Sequence, residues 1–214
     1  MGKIGIMGGT FDPVHNGHLY LGRQAYVEYG LDRIWYMPTG QPPHKKDHHV
    51  TDVTHRCRML ELALEKEEGF VFSDFEVRRD GYTYTAQTLA LLKEAYPEHE
   101  FYFILGADSL YEIEGWYHPE LVIGAVNILA ASREYDGGSH RPMEEQIAYL
   151  NEKYGGHIQM LHCREVDISS EEIREMAARG KPVDTCVPEK VADYIRSHKL
   201  YQAVSYTHLR AHET

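Results

Sequence analysis

Apolar residues recur along this chain in two alternating rhythms, one of period two and one near 3.6, and the alternation predicts the architecture. Lys3 to Met7 is a short β-prone run that Gly8-Gly9 ends. From Asn16 to Tyr29, residues Leu19, Leu21, Ala25, Tyr26 and Tyr29 recur at near-helical spacing, with Asn16 placed as N-cap and Gly30 as stop. Arg33 to Met37 is apolar and aromatic, a second strand that closes a βαβ unit. The same reading predicts a helix over Thr54–Glu67, a strand over Phe70–Phe75, a helix over Thr85–Ala95 ahead of Pro97, and a strand over Phe101–Leu105. It continues with a strand at Asn127–Ala131, a helix at Met143–Tyr154, a strand at Ile158–His162, and helices at Ser170–Arg179 and Pro188–His198.

Strands that alternate with helices imply an α/β fold, a Rossmann-like doubly wound parallel sheet with helices on both faces, here ending in a small C-terminal helical part. Such sheets bind ligands at the carboxyl ends of their strands. The polar motifs fall there: GGTFDPVHNGH after the first strand, PTGQPPHKK after the second, GADS, SRE and DISSEEIR after later ones. One domain is expected over residues 1–204. Residues 205–214 follow the last helix without either rhythm and are expected to be a disordered or non-native tail whose removal leaves stability and activity intact.

Charge and cysteine content narrow the chemistry. A net charge of −11 repels polyanions over most of the surface, so groove binding to nucleic acid is not expected, and phosphate must be met by local positive groups. Cys57, Cys163 and Cys186 are far apart and lack CxxC spacing, which speaks against a disulfide framework or a thiolate zinc site and fits a reducing cytoplasm. Apolar runs are too short to span a bilayer, so no membrane partner is expected. A homodimer is left open.

The segment GGTFDPVHNGHL holds the most chemistry per residue. Glycines at a strand end let main-chain N–H groups approach a ligand, and a helix N-terminus adds unpaired N–H groups with partial positive charge; both suit phosphate. The dinucleotide pattern GxGxxG is absent. His15 and His18, three apart, can face one rim, where two imidazoles would donate to oxygens that gain charge in an in-line displacement. A capping His beside a packed His is the plainer alternative. Histidines 44, 48, 49 and 55 lack the paired spacing of a metal site, and no metal ligands are expected.

GTFDPVHNGH resembles the (H/T)xGH signature of the nucleotidyltransferase α/β superfamily, and DISSEEIR is similar to its second signature, ISSTxIR, with Glu171 where the family commonly has Thr. PTGQPPHKK, HRCRMLELA, GYTYTAQTL, FILGADSLYEIEGWYHPELV, ASR and VPEKVADYIRSHKLY extend the resemblance, from Lys3 to Tyr201, to the bacterial nicotinate mononucleotide adenylyltransferases. That resemblance implies transfer of AMP from ATP to nicotinate mononucleotide, giving nicotinate adenine dinucleotide and pyrophosphate in NAD biosynthesis, with Mg²⁺ carried by ATP. It implies His15 and His18 as catalytic residues. ATP is assigned to Gly8, Gly9, Thr10, Phe11, Gly106, Asp108, Ile168, Ser169, Ser170 and Arg174.

The mononucleotide is assigned to Lys45, Thr85, Trp116, Tyr117 and Arg133. The resemblance brings in Tyr117 through its main chain, toward the nicotinate carboxylate, and the other four have physical sense of their own. Trp116 offers a flat face for a pyridine ring, though Trp also fills cores. Thr85 opens a helix whose positive end suits a carboxylate, though it also reads as an ordinary cap. Lys45 and Arg133 are cations suited to the acceptor phosphate, and a solvated loop lysine is the alternative for Lys45. Phosphopantetheine adenylyltransferase, which shares the first signature, and a non-catalytic nucleotide sensor are the rival readings.

Overall fold

The computed structural model describes residues 1–40, 50–131, 141–164 and 167–202. Lys45, Arg133, histidines 44, 48 and 49, and the tail at 205–214 lie outside the described residues. Six strands form one sheet: β1 (Lys3–Gly9), β2 (Arg33–Pro38), β3 (Phe70–Phe72), β4 (Glu100–Leu105), β5 (Asn127–Ala131) and β6 (His157–Leu161). Their order is β3-β2-β1-β4-β5-β6 and every pair is parallel. The order reverses beside β1, the switch point at which a crevice opens beyond the strand ends.

Parallel strands need covering on both faces, and alternation along each strand divides the core in two. Tyr36, Tyr102, Ile104, Leu129 and Leu161 face one cluster, which packs under α1 (Asn16–Glu28), α2 (Val53–Leu64), α7 (Ser170–Ala178) and α8 (Glu189–Ser197). Ile4, Ile6, Phe101, Phe103, Ile128 and Ile158 face the other, under α3 (Thr85–Ala95), α4 (Ala107–Glu112), α5 (Pro119–Ala125) and α6 (Met143–Tyr154). Helix α1 lies close on β2 because Gly22 has no side chain; a Cβ there would stand 2.1 Å from the Tyr36 hydroxyl oxygen.

Three local readings are corrected. Helix α1 is capped by His15, not Asn16: the Asn16 N–H donates to the Cys186 carbonyl (2.9 Å) and its side-chain amide to the Thr185 carbonyl (3.2 Å), so Asn16 is already committed elsewhere. Strand β3 stops at Phe72, because the Ser73 N–H makes the last bond to β2, at the Tyr36 carbonyl, before the chain turns. Between β4 and β5 the chain forms α4, a 3-10 turn over Ile113–Gly115 and α5, none of which the periodicity predicts. Among the described residues, no helix is long and apolar enough to cross a membrane.

Candidate active site

The β1–α1 loop leaves the sheet at β1, beside the point where the strand order reverses. Gly9 is placed so that a Cβ would meet the Phe11 ring at 3.3 Å. Phe11 takes a left-handed φ of 50° and sets its buried ring edge-on to His18, centroids 5.0 Å apart. His15, extended at φ −140°, donates its N–H to His18 Nδ1 at 3.2 Å. The two imidazoles stack, with centroids 3.6 Å apart and planes 29° apart.

This geometry fixes protons. Because His18 Nδ1 accepts, the proton of the neutral ring sits on Nε2, so the outer edge is a donor. Burial lowers the His15 pKa to about 4, and burial followed by the neighbouring His15 holds His18 well below the ordinary imidazole value. Two neutral rings therefore stand at the start of α1 at neutral pH. His15 Nδ1 is buried with no partner among the described residues.

Several elements pin the loop from beneath. Arg56, 1% exposed, donates to the carbonyls of Thr10 (2.7 Å), Thr39 (2.9 Å), Gly40 (3.2 Å) and Thr51 (2.9 Å). Buried Asp12 accepts from the Thr51 N–H at 3.0 Å and from the Tyr201 hydroxyl at 2.8 Å. The Tyr36 hydroxyl donates to the His18 carbonyl at 3.0 Å. From α7, Arg174 Nη1 donates to the Asp12 carbonyl (2.8 Å) and Ser170 Oγ to the Pro13 carbonyl (2.9 Å), which brings the second signature against the first.

Within α7, Ser169 is the N-cap in a reciprocal box: its Oγ accepts from the Glu172 N–H at 3.1 Å and donates to the Glu172 carboxylate at 2.9 Å. The serine hydroxyls thus hold the helix start and the loop, leaving Arg174 as the cation of the signature beside the cradle. Glu171 is exposed in the first turn. A cavity of about 300 Å³ opens beside this helix, bounded by Ile168, Ser169, Met176 and Cys186.

Of the residues expected to meet the mononucleotide, Thr85, Trp116 and Tyr117 are described, and they lie at and near the start of α3. Tyr84 caps that helix and its ring lies 4.4 Å from the Tyr117 ring, so the 116–118 loop borders Thr85, the first helical residue. Half-buried Trp116 meets Phe103 edge-on at 6.4 Å. Phe103 in turn lies 3.4 Å from where a Gly8 Cβ would stand, which ties Trp116 to the end of β1. Gly106 caps α4, and Asp108 is exposed in its first turn.

Arg56, Asp12 and Tyr201 have no assignment in the sequence reading. For Arg56 a signal existed: it falls on the buried stripe of α2 with Met59, Leu60 and Ala63, a charge at an apolar position.

The cytidylyltransferase-like family model matches residues 6–176. The chain is 41% identical over 201 residues to the "Probable nicotinate-nucleotide adenylyltransferase" of Lachnoclostridium phytofermentans, covering 94% of this chain and 100% of that protein. It is 36% identical to the nicotinate-nucleotide adenylyltransferase of Bacillus subtilis, covering 95% and 100%. Among solved structures it is similar to Plasmodium falciparum nicotinic acid mononucleotide adenylyltransferase complexed with NaAD, with a TM-score of 0.76 and 22% identity over 94% of this chain and 98% of that one. The last match speaks to the fold, and the two sequence matches with the family model show that this chain belongs to the cytidylyltransferase-like family, among the nicotinate-nucleotide adenylyltransferases.

Proposed function

We propose that the protein transfers AMP from ATP to nicotinate mononucleotide, releasing pyrophosphate and nicotinate adenine dinucleotide in NAD biosynthesis. The observation that carries this reading is the stacked pair of neutral imidazoles at the start of α1, with Arg174 bonded to the same loop. A phosphate oxygen of the mononucleotide attacks the α-phosphorus of ATP as the bond to the bridging oxygen of pyrophosphate breaks. The nucleophile is already an anion, so no base is needed and catalysis is alignment plus stabilisation of developing charge.

In this reading His18 Nε2–H and His15 donate to the α-phosphate oxygens. Gly8, Gly9, Thr10 and Phe11 offer main-chain approach to the triphosphate, and Arg174, anchored on the Asp12 carbonyl through Nη1, offers its remaining N–H groups to the β and γ phosphates. Gly106, Asp108, Ile168, Ser169 and Ser170 bound the adenosine side. Mg²⁺ would enter with ATP and would neutralise charge on the phosphates, without side-chain ligands assigned to it among the described residues. Thr85 and Tyr117 receive the nicotinate carboxylate, Trp116 stacks on the pyridine ring, and Lys45 and Arg133 neutralise the acceptor phosphate. Residues 1–204 act as one catalytic domain in the cytoplasm.

One assay tests the reading. The protein is incubated with ATP, Mg²⁺ and, separately, nicotinate mononucleotide, its amide and phosphopantetheine, and pyrophosphate is measured. The acid is expected to give the highest kcat/KM. Equal values for acid and amide would remove the carboxylate-recognition argument, and turnover only with phosphopantetheine would overturn the assignment.

A further inference from the structure

Arg56 is a charged side chain in the core, yet its four hydrogen bonds among the described residues all go to main-chain carbonyls and none to a carboxylate. Those carbonyls belong to three separate pieces of chain. Thr10 follows β1, Thr39 and Gly40 follow β2, and Thr51 leads into α2. Burial pushes the guanidinium pKa down, but arginine remains charged, and its planar fork can hold two neighbouring strand ends at a fixed angle as a lysine ammonium cannot.

The peptide plane is rigid, so drawing the Thr10 carbonyl onto Arg56 turns the Phe11 N–H the opposite way, away from Arg56. Thr39 and Gly40, just past the end of β2, are held by the same guanidinium. We infer that Arg56 is a positioning residue that locks the triphosphate cradle to the end of β2 and the start of α2, so that the α-phosphorus is held in line for attack. The inference rests on the adenylyl-transfer reading. It assigns Arg56 no contact with either substrate.

Misplacement of reacting groups by about 1 Å costs on the order of 10²-fold in rate, so the loss belongs in kcat. Arg56→Lys keeps the charge and loses the fork. It is expected to lower kcat by roughly 30- to 100-fold, while KM for ATP and for nicotinate mononucleotide each change by less than about 3-fold. Arg56→Gln is measured beside it, and Leu150→Ala, buried in the cluster on the other face of the sheet, serves as a control for lost stability. A kcat within 3-fold of wild type in Arg56→Lys overturns the inference, as does an equal kcat loss in Leu150→Ala. Loss of the folded state in both Arg56 variants assigns the residue to folding alone and also overturns it.

If wild-type protein makes no product, the activity reading fails and the in-line alignment fails with it, and the bracing of the cradle by Arg56 is read on its own. The readout is then the ATP-induced shift of the Phe11 and His18 amide signals by NMR. Folded Arg56→Lys is expected to change those shifts, and identical shifts would sink the positioning role.

Discussion

The two ends of the crevice are built differently. The imidazole end is fixed by directional bonds: Arg56, Arg174, Ser170, Tyr36 and Tyr201 all reach the loop between Thr10 and His18. At the aromatic end the main chain is tied locally, with the Trp116 N–H on the Ile113 carbonyl at 3.1 Å, and the side chains meet through ring contacts, Trp116 against Phe103 and Tyr117 against Tyr84. Tyr117 is 49% exposed, and the adjoining His118–Glu120 pair stands at the surface. The difference matches the work proposed for each. Charge stabilisation requires dipoles that do not reorganise during the reaction, whereas a flat ring needs a platform that tolerates small adjustments.

That contrast can be broken from either end. The largest effect is expected at the fixed end: His18→Ala should lower kcat by about 10²-fold or more, as for loss of a positioned donor, with thermal unfolding showing a folded protein; unchanged turnover would remove its catalytic role. Trp116→Ala should act on binding instead. Stacking on an aromatic face contributes on the order of 1–3 kcal/mol, so KM for nicotinate mononucleotide should rise about 10-fold while KM for ATP stays put; a rise for ATP alone would move Trp116 to the other subsite.

The smallest effect separates the ends by pH. A histidine whose folded pKa lies below its unfolded value of about 6.5 binds more protons when unfolded. Its stabilisation is complete above about pH 6.5 and is lost as pH falls toward the folded value of about 4 for His15. Between pH 6.5 and 4, wild-type Tm should therefore fall more steeply than that of His15→Gln; parallel slopes would show that the ring titrates normally.

Much of this was legible in the sequence. Helices α3 and α6 and strand β5 begin and end where the hydrophobic rhythm places them. Helices α4 and α5, of 6 and 7 residues, are too short to display a period and were hidden among loop-like motifs. The start of α1 shows tertiary structure overruling local preference. Asparagine caps helices better than histidine, yet Asn16 is drawn to Thr185, 169 residues away. Ser169 was legible as a cap from its S-x-x-E spacing. Arg56 was visible as an oddity whose four carbonyl partners no spacing could name.

The Tyr201 hydroxyl on Asp12 joins positions 189 residues apart. The signature loop lies within the first βαβ unit, but in a nascent chain the buried carboxylate in that loop lacks this partner until 189 further residues have been added. A truncated product ending before Tyr201 would carry the motif without this brace.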